Sequence, residues 1–251
     1  MDVIEEKDEF ALEAEARMKA PLEWDSTAKC KILDLKESQY DEALHLIKRH
    51  FFREDPMCKS SSLLQDQTSV NDYLQLIRTW MKDTTSLVAT SILSGRVVGV
   101  AVMRINSGPE KTDTYNRVQI LEGDTLKKIM HLQNALLIQA NAHEVFGCEE
   151  YFCIYILCVH PSYQEKGVEY ALLNASVQVA TTLKMRAIGG IFTCGVSQTR
   201  ARSVGFQLLS EIRYSLWTIN DHTVFDDPGR GNYSAAFMGQ LIPLEEDAQD
   251  E

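Results

Sequence analysis

Leu157–Leu173 reads LCVHPSYQEKGVEYALL, an apolar run that passes through a short polar loop directly into an amphipathic stretch. Phe152–Val159, which leads into it, is almost wholly apolar, as a strand buried on both faces must be. His160–Lys166 is then the connecting loop, and a helix is expected from Gly167 to about Leu183. The first N–H groups of a helix have no intrahelical acceptor, and the aligned peptide dipoles add partial positive charge there. A strand, a tight loop and a helix in this order make an anion site that suits a pyrophosphate. Gly167 lets a ligand approach the backbone closely, and Lys166 supplies a point charge. The same residues also fit an ordinary strand-to-helix turn with no ligand.

Working outward, Cys30–Leu35 reads as a first strand, and Ser38 with Asp41 opens a helix carrying Tyr40, Leu44, Ile47 and Phe51 on one face. That helix ends at Arg53-Glu54-Asp55-Pro56, because proline disfavours helical geometry in the residue before it. Ser69 with Asp72 opens a second helix. Ser86–Leu93 and Val97–Asn106 flank Ser94-Gly95 as a hairpin. A polar stretch, Ser107–Asn116, precedes a long amphipathic helix from Asp124 to about Val145. After the central segment, Ala187–Cys194 is a second buried strand and Gln198–Val204 a short helix. Phe206–Thr218 and Ser234–Leu244 form a closing antiparallel pair. The expected fold is α/β (α+β), a mixed, mostly antiparallel seven-stranded sheet with helices on both faces. In such sheets ligands bind beyond the carboxyl ends of the parallel strands, here after Val159 and Cys194.

The bulk properties narrow the classes. At 251 residues with 45% hydrophobic composition, the chain can bury one substantial core. Residues 1–28 read as an acidic N-terminal arm, 29–245 as the folded domain and 246–251 as an acidic tail. No run of about 18 apolar residues occurs, so no membrane span is expected. The opening MDVIEEKDEF has neither a basic n-region nor an apolar h-region, and a cytoplasmic location is expected. The net charge of −11 discourages binding to nucleic acid. The six cysteines show no metal-ligand spacing, and no metal is expected.

Val159-His160-Pro161-Ser162-Tyr163-Gln164-Glu165-Lys166-Gly167-Val168-Glu169 resembles the V-x-P-x-Y-[RQ]-x-x-G-x-[GA] segment of the GNAT acyltransferase superfamily. It departs at the last position. Glu169 stands where a small residue meets the pyrophosphate, and an acid there repels phosphate. A second match narrows the likeness. His50-Phe51-Phe52-Arg53-Glu54-Asp55-Pro56 is similar to the F-F-x-D-E-P segment of the insect-type arylalkylamine N-acetyltransferases, which include dopamine N-acetyltransferase. The long Asp124–Val145 helix is similar too. So is Thr193–Phe206, TCGVSQTRARSVGF, which resembles that group's serine-bearing strand end, short helix and G-F.

The resemblance implies an acetyl-CoA-dependent (or other acyl-CoA-dependent) N-acetyltransferase acting on a small primary arylalkyl amine by direct transfer in a ternary complex. It implies that Leu157, Cys158, Val159, Gln164, Glu165, Lys166, Gly167, Val168 and Glu169 hold the cofactor. The general base of that family matches Asp55, with Glu54 beside it, so the two acids stand exchanged. Ser197 and Thr193 match its serines. Ser197 also reads as a helix N-cap, and His160 as either a base or a structural histidine. Cys158 lies in an apolar strand with no activating base nearby, which argues against a covalent acyl-cysteine. A fold of this type that has lost catalysis and serves as a CoA-binding or protein-interaction module is the alternative.

Overall fold

The computed structural model describes residues 22–107 and 121–243. Most of the acidic arm, the polar stretch from residue 108 on and the tail at 246–251 lie outside the described residues.

The described residues form an eight-stranded sheet in the order β1-β2-β3-β4-β5-β6-β10-β7. Its strands are β1 (Glu23–Ser26), β2 (Cys30–Asp34), β3 (Leu87–Ser91), β4 (Val97–Ser107), β5 (Glu150–Val159), β6 (Ala187–Phe192), β7 (Gln207–Arg213) and β10 (Ser234–Leu241). A small separate hairpin joins β8 (Thr218–Ile219) to β9 (His222–Thr223). Only the β5–β6 pair is parallel; the other sheet pairs are antiparallel. The sheet is therefore mixed and mostly antiparallel, with one strand beyond the seven expected. The extra strand is β1, within the stretch assigned to the acidic arm. EWDS carries little apolar signal, and tertiary hydrogen bonds hold it. The buried Asp34 carboxylate accepts from Leu22 N at 2.9 Å and from Trp24 Nε1 at 2.8 Å.

The helices are α1 (Tyr40–Leu46), α2 (Pro56–Ser60), α3 (Gln67–Met81), α4 (Asp124–Ala140), α5 (Ala142–Phe146), α6 (Val168–Thr182) and α7 (Gly195–Ser203). α1, α3 and α4 cover one face of the sheet, and α6 with α7 covers the other. Each face has its own apolar core. On the first face Phe52 stacks on Tyr73 and Trp80 packs against Tyr155, with ring centroids 5.0 and 4.8 Å apart. Pairs of this kind add about 0.5–1.5 kcal/mol each beyond their area burial.

Several boundaries differ from expectation for local reasons. At the start of α1, Lys36 N donates to Gln39 Oε1 at 3.1 Å, while Asp41 pairs with Arg78 on α3. α3 begins at Gln67 because Asp66 is its N-cap, accepting from Ser69 N at 3.0 Å. The same short segment caps α4. Asp66 Oδ2 accepts from Thr125 N and Ser69 Oγ from Leu126 N, and Asp72 Oδ2 takes the N–H groups of Glu122 and Gly123. These bonds hold the Asp66 carboxyl well below the usual range, the Ser69 hydroxyl contributing most. Gly123 is required there, since a Cβ would sit 2.3 Å from Ser69 Oγ. The helix expected to reach Val145 breaks at Asn141, which adopts φ +43° and restarts the chain as α5.

Candidate active site

β5 and β6 pair only through Phe152–Ile188, Cys153–Gly189 and Ile154–Gly190. Beyond these rungs the strands run on to Val159 and Phe192 apart from one another, while β5 stays bonded to β4 as far as the Val159–Gly99 pair. A cavity opens where they part. Tyr155, Leu157, Cys158 and Val159 line it from β5, and Ile191 and Phe192 from β6. It holds about 770 Å³ free of protein atoms, its open mouth included. Residues from both faces of the sheet reach it: the end of the first helix and α4 on one side, α6 and α7 on the other. The gap thus passes through the sheet.

The first helix delivers His50, Phe51, Glu54 and Asp55 to this cavity. After α1 the chain widens into a π turn at Ile47–Phe51 and closes with one turn at Phe52–Glu54. Wide turns of this kind often mark functional sites. Asp55 then leaves helical geometry at ψ 130° and caps α2, with Pro56 at the first helical position. Its Oδ1 accepts from Met57 N at 3.0 Å and Cys58 N at 2.9 Å. Its Oδ2 accepts from Thr193 Oγ1 at the end of β6. The carboxylate is buried, and burial raises its pKa despite these hydrogen bonds. Glu54, by contrast, is exposed at the cavity edge. Asp55 is therefore a structural clasp between the helix kink and β6 as well as an acid in the cavity wall.

The remaining predicted residues divide. Leu157, Cys158, Val159, Gln164, Glu169, Thr193 and Ser197 line the cavity together with Glu54 and Asp55. Glu165, Lys166, Gly167 and Val168 do not form its wall. Lys166 instead lies over the Tyr163 ring, 4.7 Å from its centroid, and the Val168 side chain is buried in the α6 core. Gly167 adopts φ +75° between the 3₁₀ turn Pro161–Lys166 and α6, with nothing within 4 Å of where a Cβ would point. In that left-handed conformation Gly167 joins the 3₁₀ turn directly to the first turn of α6. His160 caps the 3₁₀ turn, its Nδ1 accepting from Ser162 N at 3.2 Å.

On α7 the N-cap is Cys194, not Ser197. Ser197 N donates to Cys194 Sγ, and Ser197 Oγ donates to Cys194 O at 2.9 Å. Ser197 keeps its hydroxyl at the cavity wall. Burial pushes the Cys158 thiol up to about 12, so it is no nucleophile at neutral pH.

Four participants escaped the sequence reading. The His50 ring meets His160 edge-on at 4.6 Å; burial first and His160 second hold it below its ordinary pKa. Tyr155 lines the cavity, its hydroxyl donating to Asn106 Oδ1 at 2.6 Å. Gln133, a polar residue on the buried stripe of α4, reaches the cavity with a buried Oε1 that has no hydrogen-bond partner. Its position three and four residues after Met130 and Ile129 was the available signal. Arg200 of α7 forms an ion pair with Glu169 of α6, a residue of the cavity wall.

No family model matches the chain, and no curated protein matches its sequence. Solved structures do match. A yellow fever mosquito (Aedes aegypti) protein described as arylalkylamine N-acetyltransferase 7 superposes with a TM-score of 0.78 at 22% identity, over 89% of this chain and 96% of that one. Arylalkylamine N-acetyltransferase 2 of Aedes aegypti gives 0.76 at 21% identity, over 85% and 99%. A Drosophila melanogaster polyamine N-acetyltransferase that forms N-acetylagmatine gives 0.71 at 15% identity, over 84% and 99%. The chain has the fold of the GNAT acetyltransferases and resembles the insect arylalkylamine N-acetyltransferases among them.

Proposed function

We propose that this protein is an N-acetyltransferase that uses acetyl-CoA, or another acyl-CoA, to acylate a small primary arylalkyl amine by direct transfer in a ternary complex. One observation carries the reading: β5 and β6 separate after Ile154 and Gly190, and a carboxylate, Asp55, stands in the wall of the gap they leave. A sheet that merely filled a core would have no reason to open there.

When bound, the cofactor supplies an activated acyl group as a thioester. The chain's own residues do the rest. The backbone of Leu157–Val159, unpaired on the β6 side, accepts an extended arm as an added strand and orients it. The N–H groups of the first turn of α6 hold phosphate oxygens. Apolar walls from Phe51, Tyr155, Ile191 and Phe192 exclude water and suit an aromatic amine. An ammonium group carries no nucleophilic lone pair, and transfer into this low-dielectric wall lowers its pKa. Asp55 takes the proton, directly or through water, and its raised pKa brings its basicity nearer the working pH. Glu54, at the solvent edge, passes the proton out. Thr193 and Ser197 line the cavity, and the departing thiolate takes its proton from one of their hydroxyls, Thr193 being replenished by the proton that Asp55 has gained. Six free cysteines agree with a reducing cytoplasmic setting. Agmatine-like and polyamine substrates form the second substrate class to test.

The second reading, a CoA-binding or interaction module without turnover, draws on Glu169, which lines the cavity as an acid paired with Arg200. A thiol-release assay with acetyl-CoA against tyramine, dopamine, serotonin, agmatine and spermidine decides between them. Turnover with an aryl amine above the no-amine rate supports the enzyme. Cofactor binding with no turnover on any amine supports the module.

A further inference from the structure

We propose that Glu169 is an internal stand-in for the acyl donor's diphosphate, held by Arg200, and that the donor enters by taking Arg200 from it. This rests on the cofactor reading above and adds to it a ligand residue, Arg200, and a built-in competitor. Glu169 is the second residue of α6, a position where the helix dipole favours an anion. Its side chain lines the cavity and is 13% exposed, while that of Arg200 is 30% exposed. Arg200 projects from α7, so the pair ties that helix to α6 at the Glu169 side of the cavity. A guanidinium beside unpaired helix amides is a phosphate ligand by chemistry, since its planar fork matches two phosphate oxygens. Here a carboxylate already occupies it.

For the diphosphate to reach the α6 amides it must share or replace the place of the Glu169 carboxylate, otherwise like charges meet in a half-buried site. Exchange resolves this. Glu169 turns toward solvent, and Arg200 passes from one carboxylate to a more highly charged group. The pair then makes opposite demands on its two members. Removing Glu169's charge relieves a competitor; removing Arg200's charge removes a ligand. A purely structural clasp gives no such asymmetry, because losing either side breaks the same bridge.

The test is a calorimetric titration of the full chain with CoA, in wild type, Glu169→Gln, Arg200→Gln and Arg200→Lys. The glutamine at 169 keeps the size of the side chain, so any change reads charge and not steric opening. We expect Glu169→Gln to tighten CoA binding about 3- to 30-fold and Arg200→Gln to weaken it about 10-fold or more. Arg200→Lys, which keeps the charge without the fork, should fall between wild type and Arg200→Gln. It serves in place of Arg200→Gln if that variant unfolds. Pantetheine, which lacks the diphosphate, should change less than about twofold throughout. Equal weakening by Glu169→Gln and Arg200→Gln, or a Glu169→Gln affinity at or below wild type, overturns the exchange while leaving the cofactor reading intact. Absence of binding by wild type and every variant at millimolar CoA removes the cofactor reading, and the exchange with it.

Discussion

Replacing Asp55 separates its two roles if alanine and asparagine are compared with each other. Both remove the charge, so the cost of burying a carboxylate cancels between them. Alanine also removes the cap that accepts from Met57 N and Cys58 N, a loss of about 0.5–2 kcal/mol. It strands the Thr193 hydroxyl as well, worth about 1 kcal/mol more. Asparagine keeps an oxygen for the two amides and presents its NH₂ to Thr193 Oγ1. Asp55→Ala should therefore be about 1.5–3 kcal/mol less stable than Asp55→Asn, or roughly 3–12 °C in Tm for a chain of this size. Their kinetics should nevertheless agree. kcat/KM falls about 10²- to 10⁴-fold in both if Asp55 is the base, with CoA affinity within about twofold of wild type. Thermal unfolding and thiol release measure the two effects on the same samples. Asp55→Asn at wild-type turnover would refute the base assignment, and an Asp55→Asn as unstable as Asp55→Ala would refute the cap. pH adds a check. Burial raises the folded pKa of Asp55 above its ordinary value of 3.8, so the unfolded chain gives up this proton first as pH rises. The group's contribution to stability therefore falls between the unfolded and folded pKa values and stays low at neutral pH. Asp55→Asn escapes that loss, so its stability relative to wild type should be greatest near neutrality and shrink as the pH drops through that window.

Two further outcomes follow from the same geometry. Gly167→Ala places a side chain at φ +75°, where space is open but the backbone is strained, and should cost about 1–2 kcal/mol in chemical denaturation while weakening CoA binding. Cys158→Ala should retain turnover within about threefold, because the buried thiol, pushed up to about 12, takes no part in the chemistry; loss of activity in a folded Cys158→Ala would restore the covalent route.

The part of this protein legible in its sequence was the part written in local chemistry. A strand of unbroken apolar residues, a short loop ending in glycine and an amphipathic helix marked the β5–α6–β6 unit. Asp55-Pro56 announced a helix break, since proline disfavours helical geometry in the residue before it. Other features depended on partners distant in the chain. β1 exists because Asp34 bonds Leu22 and Trp24. The capping of α4 comes from Asp66, Ser69 and Asp72, fifty or more residues upstream. Nothing near Thr193 predicts that its hydroxyl clasps Asp55, 138 residues away. The Glu169–Arg200 pair escaped notice for the same reason. Glu169 read as a departure from a phosphate loop, and only the packing of α7 on α6 supplied its partner.

Hydrogen–deuterium exchange with and without saturating acetyl-CoA tests where the acyl donor lies. Bound cofactor should slow exchange at the amides of Leu157–Val159 and in the first turn of α6 after Gly167, leaving the β7–β10 edge unchanged. Binding that leaves both of those segments at their unliganded rates would contradict the account.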